Sequence, residues 1–198
     1  MNKGRLEAFT DGVLAIIITI MVLELKVPHG ENFEDLKPLL PIFLSYILSF
    51  IYLAIYWNNH HHMMQTVTHV TGSILWANMH LLFWLSLIPF VTGWMGENDF
   101  SFASVILYGI ILLFAAIAYW ILQLIIIKKH GKDALLAKAL GKDIKGKVSP
   151  ILYLIGIISA FINAWFAGFM YVLVAIIWLV PDTRIEKALK ENKKHTTL

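Results

Sequence analysis

The 198-residue chain contains no cysteine, which excludes disulfides and thiolate-held metals. Charge is also scarce: Asp, Glu, Lys and Arg make up 15% of the residues, where a soluble domain carries about 25%. Enzyme signatures are missing: there is no HExxH, no GxSxG, no pair of intramembrane aspartates and no phosphate-cradling glycine loop. Gly93-Trp94-Met95-Gly96 reads as a helix end. The chain is therefore expected to be no enzyme and to carry no cofactor. The TVGYG potassium filter is absent too. The lysines gather in one loop and the tail, a pattern of membrane topology that leaves no nucleic-acid module.

In place of charge there is apolar surface. Hydrophobic residues make up 59% of the chain and the mean hydropathy is +0.71, more than one buried core can absorb. Lipid is the solvent such a composition needs, and the abundant Trp and Phe suit its interfaces. A helix crosses the hydrocarbon with about 20 apolar residues. Six segments are expected: 6–26, 39–60, 73–95, 102–127, 150–162 and 165–180, together one all-α transmembrane domain over 1–198. The first run lacks a small-x-small cleavage site and is expected to stay as an anchor.

Loop charge sets the fold of the last stretch, Pro150–Pro181, which is apolar except for Asn163 near its middle. Lys3 and Arg5 precede the first span, lysines dominate Lys128–Lys147, and Arg184, Lys187, Lys190, Lys193 and Lys194 fill the tail. Loops rich in Lys and Arg stay cytoplasmic. The basic loop and the tail share a side only if Pro150–Pro181 crosses twice, folding near Ile162–Ala164. Both termini are then cytoplasmic. Each of the last two spans has about 15 residues, near 22 Å long, which is short for a bilayer. Within the basic loop, Ala134–Leu140 has helical character and is expected at the membrane surface beside anionic lipid.

Ionisable groups inside spans are costly. The first span has Arg5, Asp11 and Thr19, with Glu24 and Lys26 at its far end. At about 100° per residue, Ile16, Ile20 and Leu23 form one stripe with Thr19 at its side, and Asp11 sits about 140° away. Asp11 is expected to be a buried acid in a hydrogen-bond cluster of Arg5, Asp11, Trp57, Asn58 and one of His60 or His61. Asn78 and His80 lie at the same depth. Such a cluster serves as inter-helix glue or in gating. The run His60-His61-His62 is poor evidence for a metal, because consecutive helical residues point about 100° apart.

The segment Arg5-Leu6-Glu7-Ala8-Phe9-Thr10-Asp11 resembles the RxxxFSD signature of the transmembrane protein 175 family, potassium channels of endosomes and lysosomes with shorter prokaryotic relatives. Thr10 stands where the family has Ser, and keeps the hydroxyl. The resemblance continues through Tyr56-Trp57-Asn58-Asn59-His60-His61, Ser86-Leu87-Ile88-Pro89-Phe90 and Trp178-Leu179-Val180-Pro181-Asp182. It implies a six-helix repeat and, for a single-repeat chain, a homotetramer in a prokaryotic cell membrane that passes K+ along an axis lined by the first helix. The constriction maps onto Ile16, further apolar rings onto Ile20 and Leu23, and a threonine layer onto Thr19. A rival reading is proton conduction or proton coupling, with Asp11 and the histidines as relay. A third is a non-conducting membrane scaffold.

Overall fold

The computed structural model describes residues 2–131, 135–141 and 143–179. These residues form eight α-helices and one short 3-10 helix. The helices are α1 (Lys3–Leu23), α2 (Leu40–Gln65), α3 (Gly72–Ser86), α4 (Ile88–Glu97), α5 (Phe102–His130), α6 (Leu135–Leu140), α7 (Ile144–Ala160) and α8 (Ala164–Leu179). The 3-10 helix, Phe33–Leu39, leads into α2. By length and composition, four helical stretches among the described residues are apolar enough to cross a membrane: Lys3–Leu23, Phe33–Gln65, Gly72–Glu97 and Phe102–His130. α8 is apolar but shorter.

The expected 73–95 segment is interrupted. Pro89, in the first turn of α4, has no N–H to donate, and the chain turns at Leu87, whose carbonyl accepts from Val91 N–H at 3.3 Å. α2 runs five residues past the expected end at His60, so the histidine run lies within a helix rather than a connection. α5 ends at His130, where Gly131 takes a φ of 92° that a side chain would disfavour. α7 starts at Ile144, six residues before the expected boundary, and carries Pro150 inside it.

The expected fold of the last apolar stretch is present at Phe161–Asn163. Asn163 is the N-cap of α8: its Oδ1 accepts from the backbone N–H of Trp165 at 2.8 Å and of Phe166 at 3.3 Å. One polar residue in an apolar run thus ends one helix and starts the next. The end of the sixth segment at Val180, the Pro181-Asp182 part of the motif, the basic tail and residues 132–134 lie outside the described residues.

α5 lies at the centre, packed against α3, α4, α7 and α8. α7 and α8 pack on each other, and α2 packs on α4 and α8. Helical backbone groups bond largely within their own helices, which leaves side chains as the main interior polar groups. They pair with one another: Ser49 Oγ lies 2.7 Å from Thr92 Oγ1 and 3.0 Å from the Tyr108 hydroxyl, and Tyr52 donates to Tyr171 O at 2.5 Å. Trp178 Nε1 donates to Ser149 Oγ at 2.7 Å, tying α8 to α7. Small residues allow the close approaches. A side chain at Gly109 or Gly156 would run into the Tyr171 ring.

Candidate ion pathway and its polar support

α1 is attached along one stripe only. Leu6, Thr10, Leu14, Ile17 and Met21 recur every three or four residues, are buried, and face α2, α3 and α4. The sequence-predicted stripe turns away from them. Ile16 is 59% exposed, Ile20 41% and Leu23 80%, and Thr19 is exposed beside them. Ile16 and Ile20, with Val13 and Ile17, form one wall of a groove of about 790 Å³ whose other wall is Pro89, Phe90, Gly93 and Trp94 of α4. Glu24 and Glu97 stand at one end of it.

The Thr19 hydroxyl donates within its own helix, with the Ile16 carbonyl at 2.9 Å and that of Ala15 at 3.1 Å. Its proton is committed to the backbone, so the oxygen presents lone pairs outward. That is the polarity a passing cation needs.

The polar groups at the N-terminal end of α1 divide into two sets. Asp11 accepts from Trp57 Nε1 at 2.9 Å, and Trp57 stacks on His61 with ring centroids 6.2 Å apart. The second set is a buried chain across three helices. Asn78 Nδ2 donates to Thr10 Oγ1 at 2.9 Å, the Thr10 hydroxyl donates to Leu6 O at 3.0 Å, and His60 Nε2 lies 2.7 Å from Asn78 Oδ1. Direction follows from bookkeeping. The Thr10 proton is spent on Leu6, so Thr10 accepts from the Asn78 amide; Asn78 Oδ1 is then the acceptor, and His60 carries its proton on Nε2.

The expected single cluster is therefore corrected. Asp11 is exposed in the subunit rather than buried, and His60 pairs with Asn78 instead of Asp11. His61 bonds Gln65 at 2.8 Å. The side chains of Arg5 and Asn58 bond no described residue, and Phe9 is half exposed. The reason is rotational: Thr10 and Asp11 are about 100° apart on α1, so one faces α3 and the other the flank of α2. Thr10, quoted above only as part of the signature, is the buried member. Its low-cost signal was its place in the every-third-or-fourth pattern with Leu6, Leu14 and Ile17.

At the opposite end, Lys26 Nζ meets Glu97 Oε1 at 2.5 Å, joining the segment after α1 to the end of α4. The Glu97 carboxylate, by hydrogen bond and by charge, raises the pKa of this exposed ammonium, and Glu24 adds to it. Glu97 contributes to the groove from α4, which the reading of α1 alone did not include.

The model of the endosomal/lysosomal potassium channel TMEM175 family matches residues 5–89. A potassium channel of Chryseobacterium sp. (strain P1-3) is 58% identical over 192 residues, 97% of this chain and 100% of the relative. The chain belongs to the TMEM175 family. Its match with that relative is end to end, as expected of a single-repeat member of the bacterial kind. A potassium channel of Chamaesiphon minutus is 31% identical over 190 residues, covering 87% of this chain and 91% of that one. The crystal structure of a lysosomal potassium-selective channel TMEM175 homolog from Chamaesiphon minutus matches with a TM-score of 0.78 at 30% identity, over 91% of this chain and 97% of that chain. An endosomal/lysosomal proton channel TMEM175 of Gallus gallus is 32% identical over 101 residues, 45% of this chain and 20% of that protein.

Proposed function

We propose that this TMEM175 protein is a potassium-permeable channel, assembled as a homotetramer around an axis lined by α1. Each subunit crosses a cell membrane six times, with both termini cytoplasmic. Ile16 forms the narrowest ring, Ile20 and Leu23 form further apolar rings, and Thr19 supplies a layer of hydroxyl oxygens between them. The supporting observation is the unpacked face of α1: a stripe of bulky aliphatics turned away from its own subunit, in a chain whose full-length relatives are named potassium channels.

An apolar neck excludes water when narrow, and a cation that enters it loses hydration at a cost of many kcal/mol. Opening is then a rotation or spreading of α1 that widens and wets the ring. K+ holds its water more loosely than Na+, so partial stripping favours K+, and Thr19 oxygens replace part of the lost shell. Glu24, with Glu97 beside it, gives the mouth a negative field that concentrates cations. The test is K+ flux from liposomes holding purified protein, alongside a native mass of the assembly. Ile16→Asn should raise resting leak and lower discrimination of K+ over Na+. Wild-type leak and selectivity in that variant would remove Ile16 from the neck.

Proton conduction is the second reading. It is favoured by the vertebrate relatives named proton channels and by Asp11, an exposed acid on the same helix. H+ flux without K+ flux, abolished by Asp11→Asn, would replace the first reading with this one.

A further inference from the structure

A second cavity lies away from the α1 face, between α2, α5, α7 and α8. Tyr56, Tyr119 and Tyr153 form much of its wall, with Asn59, Gln123 and Ser149 among them. Its volume is about 40 Å³. Most of the polar groups along it are satisfied. Tyr119 donates to Asn59 O at 3.1 Å, and Asn59 Nδ2 donates to Ile55 O at 2.8 Å. Ser149 Oγ donates to Lys145 O at 2.8 Å while accepting from Trp178.

Besides Asn59 Oδ1, two groups bond none of the described residues, and their polar atoms keep surface that a water can reach. Gln123 is 4% exposed and its amide bonds none of the described residues. The Tyr56 hydroxyl has no hydrogen-bond partner among them either; this ring meets Tyr119 edge-on, with centroids 6.0 Å apart. A glutamine amide brings two donors and an acceptor with two lone pairs. Left empty-handed among aromatic rings at lipid depth, such a group is strongly disfavoured, and a leucine or methionine would serve the packing better.

Size selects the guest. One water takes about 30 Å³ in the liquid, whereas a cavity that admits benzene has about 150 Å³. The space fits one or two waters and is too small for an aromatic or lipid-like ligand. One end of the cavity lies near the lysine-bearing end of the bundle. Gly146 and Ser149, in the first two turns of α7, line the cavity next to Lys145, at the end of the bundle that also carries Lys128, Lys129 and Lys147.

We propose that this cavity is an internal hydration site, in which one or two ordered waters hydrogen-bond the Gln123 amide and the Tyr56 hydroxyl. It exists in every subunit, independent of the ion pathway.

Radiolytic hydroxyl labelling tests this, because radicals born from a bound water oxidise the nearest side chain. The protein would be irradiated in nanodiscs and its tyrosines quantified by mass spectrometry. Tyr108 is the internal control: it is fully buried, bonded to Ser49, and absent from the cavity wall. Tyr56 should be labelled several-fold faster than Tyr108. Gln123→Leu should bring Tyr56 down toward the Tyr108 rate while K+ flux stays at the wild-type level. Equal labelling of Tyr56 and Tyr108 in the wild type overturns the proposal, and that comparison stands even if the variant fails to assemble. Unchanged Tyr56 labelling in a folded Gln123→Leu protein overturns it too, as does an organic molecule retained in the site in native mass spectra.

Discussion

Replacing Asn78 with leucine removes both hydrogen bonds of the residue that joins α2 to α1 through α3, and changes the side-chain volume little. Asn78 is fully buried, with His60 at 2.7 Å on one side and Thr10 at 2.9 Å on the other. The two losses are unequal. Thr10 keeps its bond to Leu6 O, so it forfeits only an accepted bond, worth about 0.6 kcal/mol between membrane helices. The His60 Nε2–H loses its acceptor inside the bundle, at a cost of about 1–3 kcal/mol. The sum is about 1.6–3.6 kcal/mol, concentrated at His60. Thr10→Val should cost about 1–2 kcal/mol, since it orphans one Asn78 donor. The double variant should fall short of the sum by about 0.5–1.5 kcal/mol, because the two residues share a bond. Reversible unfolding in mixed micelles, followed by tryptophan fluorescence, gives all three values. Strict additivity would refute the directional chain, and so would a destabilisation by Asn78→Leu no larger than that of Asn58→Leu, whose side chain bonds no described residue.

Four further outcomes follow from the same geometry. Thr19→Val should leave assembly intact and reduce K+ over Na+ selectivity; an unaltered reversal potential would take Thr19 out of the selective layer. Gly109→Leu, which drives a side chain into Tyr171, should destabilise by about 1–3 kcal/mol or block expression, and a normal melting profile would contradict the packing of α5 on α8. His130 Nε2 accepts from Thr68 N–H at 3.1 Å while Nδ1 faces Ile126 O at 3.0 Å, so His130→Ala should speed amide exchange at Thr68; unchanged protection would refute the contact. Breaking the Lys26–Glu97 pair by Lys26→Glu should shift resting flux modestly, because water screens an exposed pair, and Glu97→Lys in the same chain should restore it. A double variant no closer to wild type than Lys26→Glu alone would exclude a tether at that point.

The helices were legible because lipid allows few alternatives. Apolar length marks a span, and lysine placement required a reversal near Asn163, whose amide turned out to cap α8. What composition could not reveal was the interruption at Leu87. Pro89 is tolerated in a first turn as readily as it breaks an interior, and only the packing of α4 across α2 distinguishes the two cases. That packing depends on Gly96, where a Cβ would come within 2.6 Å of Ile42 Cα. Helix ends were misjudged at His60 and Pro150 for a related reason. Polar residues and prolines mark where a helix meets water, not where it stops, and α2 and α7 both continue past that boundary.

The polar cluster was half legible, and the missing half explains how the first helix can serve two masters. Depth alone placed Asp11, Trp57 and His60 at one level, yet level says nothing about which side of α1 each side chain leaves from. Adjacent residues on a helix face different neighbours. Thr10 faces inward and fastens α1 to α3 through Asn78, whereas Asp11 stands on the flank and is held by a single indole N–H. Fastening one edge leaves the opposite edge of α1, from Phe9 to Leu23, without a partner in its own subunit. A bulky aliphatic stripe would be unremarkable against lipid. Here it borders a groove walled by α4 and ended by two carboxylates, the observation on which the proposed pore rests. Substituting Phe9 or Leu23 with cysteine in this cysteine-free chain decides between the two: cross-links between copies of the same residue place the stripe at a shared axis. Labelling by a lipid-soluble reagent without any cross-link would place it in the bilayer and end the pore assignment.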